Sequence, residues 1–243
     1  MPMSAKYSEV LQTTARPSDD ATTLSRLEER LPPLLSVIAG MVDLTGFFTL
    51  GNIFTAHVTG NLVVAAAVAV RGGPLNSAQA LAIPVFMLAL VAVWLIARAS
   101  NWRGPALARL LLVIQFLLLA AVLVFSVITK PSASPHGLMA GIAVMIAVSA
   151  MACQYAILRL AIPGAISTAV MTGNLTNTVL SLMDTLSKRP LLMAVDAGRL
   201  KRSLHLLVGF LLGCIMAAAA VSLLGDWAWS FPVALAAVAI AVR

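Results

Sequence analysis

The chain has 243 residues, of which 60% are hydrophobic and only 10% charged, and its mean hydropathy is +0.98. A soluble domain carries about 25% charged residues, so a water-soluble fold is excluded; strands of about ten alternating residues, the mark of a membrane β-barrel, are absent. The formal charge of +7 sits in the stretches between apolar runs, where it orients helices in lipid, and nucleic-acid binding is not expected.

Residues 1–30 are polar and mixed in charge. They read as a cytoplasmic N-terminal tail with one amphipathic turn near Leu24 to Leu31, lacking the basic start and apolar core of a signal peptide. Eight apolar segments follow, at 31–50, 57–70, 79–97, 107–129, 137–157, 169–183, 203–224 and 227–242. A bilayer core of ~30 Å needs about 20 helical residues. Segments two and six reach only about 21 Å at 1.5 Å per residue, and both open on Thr-Gly-Asn. The last segment is also short, but Trp227, Trp229 and Arg243 suit anchoring at the interface. Cys153 and Cys214 lie inside apolar runs without metal-ligand spacing and read as inert buried thiols.

The basic residues discriminate between two topologies. If all eight segments cross with the N-terminus inside, ten of the Lys and Arg from Arg26 onward lie inside and four outside (Arg98, Arg103, Arg109 and Arg159). If segments two and six dip in and return, twelve lie inside, with only Arg71 and Lys130 outside. The second count obeys the positive-inside bias better. It predicts an all-α polytopic membrane protein with six full transmembrane helices, two short re-entrant or broken helices, and both termini inside. The connection from Asp184 to Arg202 is an orienting cytoplasmic loop, with a short surface helix over Leu191 to Leu200. Gly209, Gly213 and Ala217 in segment seven, and Gly137 and Gly141 in segment five, form small-residue packing faces.

Asp43 lies within the first span, where a carboxylate costs at least ~3 kcal/mol and is a functional candidate by default. Three readings stand: a proton or Na⁺ carrier, favoured because segment one holds no basic partner; a contact for a cationic or hydroxylated solute; or a neutral structural tie. Thr59-Gly60-Asn61 opens segment two. Its side chains can satisfy free backbone N–H groups, and an exposed helix N-terminus suits an anion or polar solute. The competing reading of the triplet is a plain helix–helix contact. His57 beside it reads as an interfacial polar residue rather than a proton relay, as do His136 and His205. Gln115 reads as a bond to a neighbouring helix, and Arg159 as an orienting charge.

The tetrapeptide Thr59-Gly60-Asn61-Leu62 returns as Thr172-Gly173-Asn174-Leu175, 113 residues later. Asp43 and Gln154 stand 111 residues apart in matching positions of the preceding long spans. Halves 31–129 and 137–242 therefore read as duplicated units. With three crossings each they are inverted, the architecture of many secondary transporters.

Ala39-Gly40-Met41-Val42-Asp43 with Gly46-Phe47, then Thr59-Gly60-Asn61, resembles the first-half motif of the YoaK-like bacterial multi-pass membrane family (domain of unknown function 1275). Met151-Ala152-Cys153-Gln154 and Val170-Met171-Thr172-Gly173-Asn174 resemble its second-half motif. The resemblance covers nearly the whole chain after residue 30. It departs at Leu44, where Ala is usual, and at Tyr155, where Asn is usual. It implies the fold and a bacterial inner-membrane location rather than an activity.

Enzyme chemistry is not expected: there is no nucleophile with a nearby base, no carboxylate pair, no His cluster and no phosphate loop. No cofactor or metal is expected. The leading reading is a secondary transporter or facilitator of a small polar solute, coupled to protons or sodium through Asp43. Its path is lined by Asp43, Thr59, Gly60, Asn61, Gln154, Thr172, Gly173 and Asn174. The alternative is a scaffold or sensor without a path. The partners expected are the solute and the lipid bilayer, with homo-oligomer formation left open.

Overall fold

Pro32 and Pro33 sit inside the first helix without ending it. In the computed structural model, which describes residues 19–72, 77–187 and 197–242, α1 runs from Asp19 to Thr49. The two prolines remove the N–H groups that would bond the carbonyls of Glu28 and Glu29. That turn borders a cavity of about 230 Å³, where water can serve instead. The helix starts twelve residues ahead of the segment at 31–50, because Leu24, Leu27 and Leu31 repeat at helical spacing. Leu27 and Leu31 are buried, and Leu24 lies over Gly104.

The remaining helices follow the apolar segments closely. They are α2 (Gly60–Arg71), α3 (Ser77–Ser100), α4 (Gly104–Thr129), α5 (Leu138–Ala156), α6 (Met171–Leu186), α7 (Ala197–Leu224) and α8 (Ser230–Ala241). Local chemistry sets several ends. Gly72 takes the left-handed conformation that closes α2, and proline stands in the first turn of α4. A π-turn over Ile157–Ala161 finishes α5. A 3-10 turn at Gly225–Trp229, entered through Gly225 at φ +55°, separates α7 from α8. Residues 188–196, which carry most of the surface helix expected over Leu191 to Leu200, lie outside the described residues.

Among the described residues, five helical stretches are long and apolar enough to cross a bilayer: Thr22–Thr49, Ser77–Ser100, Gly104–Thr129, Leu138–Ala161 and Leu200–Ala241. The last joins α7 and α8 through the 3-10 turn, so the segment at 227–242 is a 12-residue helix rather than a full-length span of its own. α1 and α5 form the centre, and α5 is buried without interruption from Ala150 to Leu158. α3 and α7 turn Leu88, Val91, Trp94, Leu211, Leu212 and Ile215 outward. A water-soluble protein would bury such side chains, whereas a bilayer favours them at the surface.

The closest helix contact joins α1 to α7, which run side by side in the same direction: Pro33 meets Gly209, and Val37 meets Gly213. A Cβ on Gly40 would overlap the Phe210 carbonyl oxygen, and one on Gly213 would overlap that of Val37. Backbones approach this closely only through glycine, and the small face expected on segment seven is this interface. Gly141 makes no such approach; a Cβ added there would stand 3.8 Å from Ala78 Cβ, at ordinary contact distance.

Candidate functional site

Gly51 and Asn52 turn the chain back on itself after α1, with φ +85° and +58°. Such left-handed residues are easy for Gly and tolerable for Asn, and a Cβ on Gly51 would run into the Pro135 carbonyl. The returning segment, Ile53 to Val58, descends beside α1 to the level of Asp43. Its non-helical backbone lies inside the protein, with Ile53, Thr55, Ala56 and Val58 all buried.

Irregular backbone in an apolar interior needs partners for its N–H groups, and Asp43 provides them. Oδ1 accepts from Thr55 N–H at 2.8 Å, Ala56 N–H at 2.9 Å and His57 N–H at 3.4 Å. Oδ2 lies 2.6 Å from His57 Nδ1. Asp43 is 5% exposed while the His57 side chain is 28% exposed, so the carboxylate is buried and its partner reaches the edge of the protein; a buried charge is far better tolerated paired than alone. His57 is therefore a direct partner of the carboxylate rather than an interfacial bystander, and the basic partner missing from segment one comes from the loop. Thr55 Oγ1 adds a bond to the Val42 carbonyl at 3.1 Å, and Tyr155 Oη donates to that of Ala56 at 2.9 Å. Tyr155, a position of departure from the family pattern, thus holds the same loop from α5.

Asn61 closes the loop against its own chain. Its Oδ1 accepts from Phe54 N–H at 2.9 Å, and its Nδ2 donates to the Phe54 carbonyl at 2.8 Å. Asn174 Nδ2 donates to the Ser167 carbonyl, again seven residues back, at 3.0 Å. The two loops therefore share one device. The sequence match behind it is longer than the tetrapeptide: Thr55-Ala56 and Thr168-Ala169 also stand 113 residues apart. That spacing was the available signal for the loop residues.

Of the residues expected to line one path, Asp43, Gly60 and Asn61 belong to the first loop and its helix. Thr59 is exposed and makes no capping bond. Thr172 is exposed and Gly173 half-buried at the start of α6, while Asn174 is buried. α2 packs against α3 and α6 against α7, so the two triplets have separate neighbours. Gln154 stays in the core, accepting from Gln115 Nε2 at 2.7 Å and donating to the Leu35 carbonyl at 2.9 Å. It ties α4, α5 and α1 together and leaves the second loop alone. There Val170 stands where the first loop has His57, and the buried Thr168 hydroxyl has no hydrogen-bond partner among the described residues.

An all-helical chain with five long apolar stretches, lipid-suited outer faces and an internally pinned broken segment is a multi-pass membrane protein. It belongs to the family described as protein of unknown function (DUF1275), whose model matches residues 31–242. It is similar to the UPF0700 transmembrane protein YoaK of Bacillus subtilis (strain 168), with 28% identity over 172 residues, covering 69% of this chain and 71% of that protein. No solved structure matches.

Proposed function

We propose that this protein is a secondary transporter or facilitator of a small polar solute in the bacterial inner membrane, built as an inverted repeat of residues 31–129 and 137–242. Helix directions support the repeat. The end of α1 and the start of α3 both lie beside the start of α5, through Gly51 with Pro135 and Ala78 with Gly141. The first loop and α2 then enter and leave on one face. The end of α5 lies beside Glu28 through Gly164, and α7 starts along the same part of α1, so α6 enters and leaves on the opposite face. The first helix of each half packs on the third helix of the other, α1 on α7 and α5 on α3. Inverted repeats with interrupted helices are the architecture of many secondary transporters.

The observation that carries the reading is Asp43, which holds the broken segment by three backbone N–H groups and by His57. A proton or Na⁺ arriving at Oδ2 competes with His57 and loosens the loop, coupling the ion to a change of access. The test uses proteoliposomes on a sensor electrode, challenged with a panel of amino acids, sugars and small carboxylates under proton or sodium gradients. Wild type is expected to give a current with at least one solute, Asp43→Asn none and Asn61→Ala a reduced one. Folded wild type that gives no current with any solute, or variants equal to wild type, would overturn it.

A specific observation favours the alternative of a scaffold or sensor. Both oxygens of Asp43 are engaged, and both Asn side chains serve their own loops. Cysteines at 61 and 174 that resist a membrane-permeant maleimide under every gradient and solute would support this second reading.

A further inference from the structure

We propose that the groove between α3 and α5 binds one anionic phospholipid. Two adjoining hollows form it, of about 520 Å³ and about 400 Å³, sharing Trp94 and Leu160. Each falls within the size range of ligand sites, about 300–1,000 Å³. The outer hollow is bordered by Arg98, Asn101 and Arg103. The inner one runs along Leu90, Val91, Tyr155 and Ala156, with Arg159 at its rim. One end is thus cationic, and the other is almost wholly apolar and opens sideways beside the exposed Val91.

Charge selects the head group. Arg98, Arg103 and Arg159 have no carboxylate partner among the described residues. The Arg98 guanidinium lies 5.4 Å from the centre of the Trp94 ring, at the junction of the hollows. Arg159 and Leu160 ride on the π-turn that ends α5, a distortion often found at functional sites. The groove lies on the face where α4 starts beside Leu24, the face with the excess of basic residues. Anionic lipid collects in the leaflet such residues face, and basic pockets between helices hold its head groups. A soluble anion would use the arginine end alone; a phospholipid uses both. The acyl chain would lie against Tyr155, whose hydroxyl holds Ala56, placing the lipid one side chain from the Asp43 loop.

The test is native mass spectrometry and thermal unfolding of the delipidated full chain in detergent. Phosphatidylglycerol, phosphatidylcholine and inorganic phosphate are added separately. One phosphatidylglycerol per chain is expected to be retained with a rise in melting temperature, with neither effect from phosphatidylcholine or phosphate. Arg98→Gln with Arg159→Gln should weaken retention roughly thirtyfold, taking each arginine at its usual strength beside anionic lipid. Arg109→Gln, on the exposed side of α4, should leave retention unchanged. Equal retention of both lipids, an equal thermal shift with phosphate, or an undiminished double variant would overturn the proposal. So would a loss as large in Arg109→Gln.

Discussion

Asp43 Oδ2 and His57 Nδ1 lie 2.6 Å apart, fourteen residues separated in sequence and joined across the reversal at Gly51-Asn52. The carboxylate serves the loop's backbone and its imidazole together, so the two roles can be separated by substitution. Asp43→Ala leaves three N–H groups and the imidazole without an acceptor. A loss of about 3–5 kcal/mol is expected, as for a buried pair deprived of one member. Asp43→Asn retains an acceptor oxygen and should lose less. His57→Ala leaves the three N–H bonds intact, and the Asp43→Ala/His57→Ala pair should be sub-additive by about 0.5–3 kcal/mol. Thermal unfolding in detergent of wild type and these four variants measures this.

The two loop-closing asparagines should differ in worth. Asn61→Ala breaks a bond in each direction with Phe54, whereas Asn174→Ala breaks one, to the Ser167 carbonyl. The expected losses are about 1–3 kcal/mol for the first and about 1 kcal/mol for the second. Equal losses in the same unfolding assay would show that the second loop is held as firmly as the first.

Gly213→Ala forces α1 and α7 apart, because its Cβ meets the Val37 backbone rather than a movable side chain. Overpacking of this kind costs about 1–3 kcal/mol. Gly141→Ala places its Cβ at ordinary contact distance from Ala78 and should change stability little. The melting-temperature difference between the two variants is the readout.

Gln154→Leu strands the Gln115 amide, whose Oε1 already has no hydrogen-bond partner among the described residues. The double change Gln115→Leu/Gln154→Leu removes both polar groups and should recover part of the single variant's loss. Coupling energies between side chains inside membranes run near 0.6 kcal/mol and reach about 1.7. A double-mutant cycle in detergent or bicelles supplies the number.

Length and hydropathy alone determined the helices. Lipid demands about 20 apolar residues for a span, and the segment list survived nearly intact, including the two short members that α2 and α6 became. Charge counting pointed to the dipping topology, because basic residues resist translocation. The polar breaks at Asp43 and the two Thr-Gly-Asn triplets were also legible, since polarity in an oily chain is conspicuous. Their contacts were not. His57 looked peripheral because its partner is brought to it by a backbone reversal, which depends on how Gly51 sits against Pro135. Gln154 matched Asp43 in position yet took a core role, because a neutral amide both donates and accepts and so bridges three helices. Tertiary structure decided which polar atoms meet, since hydrogen bonds are short-ranged and hydropathy records only that a partner must exist.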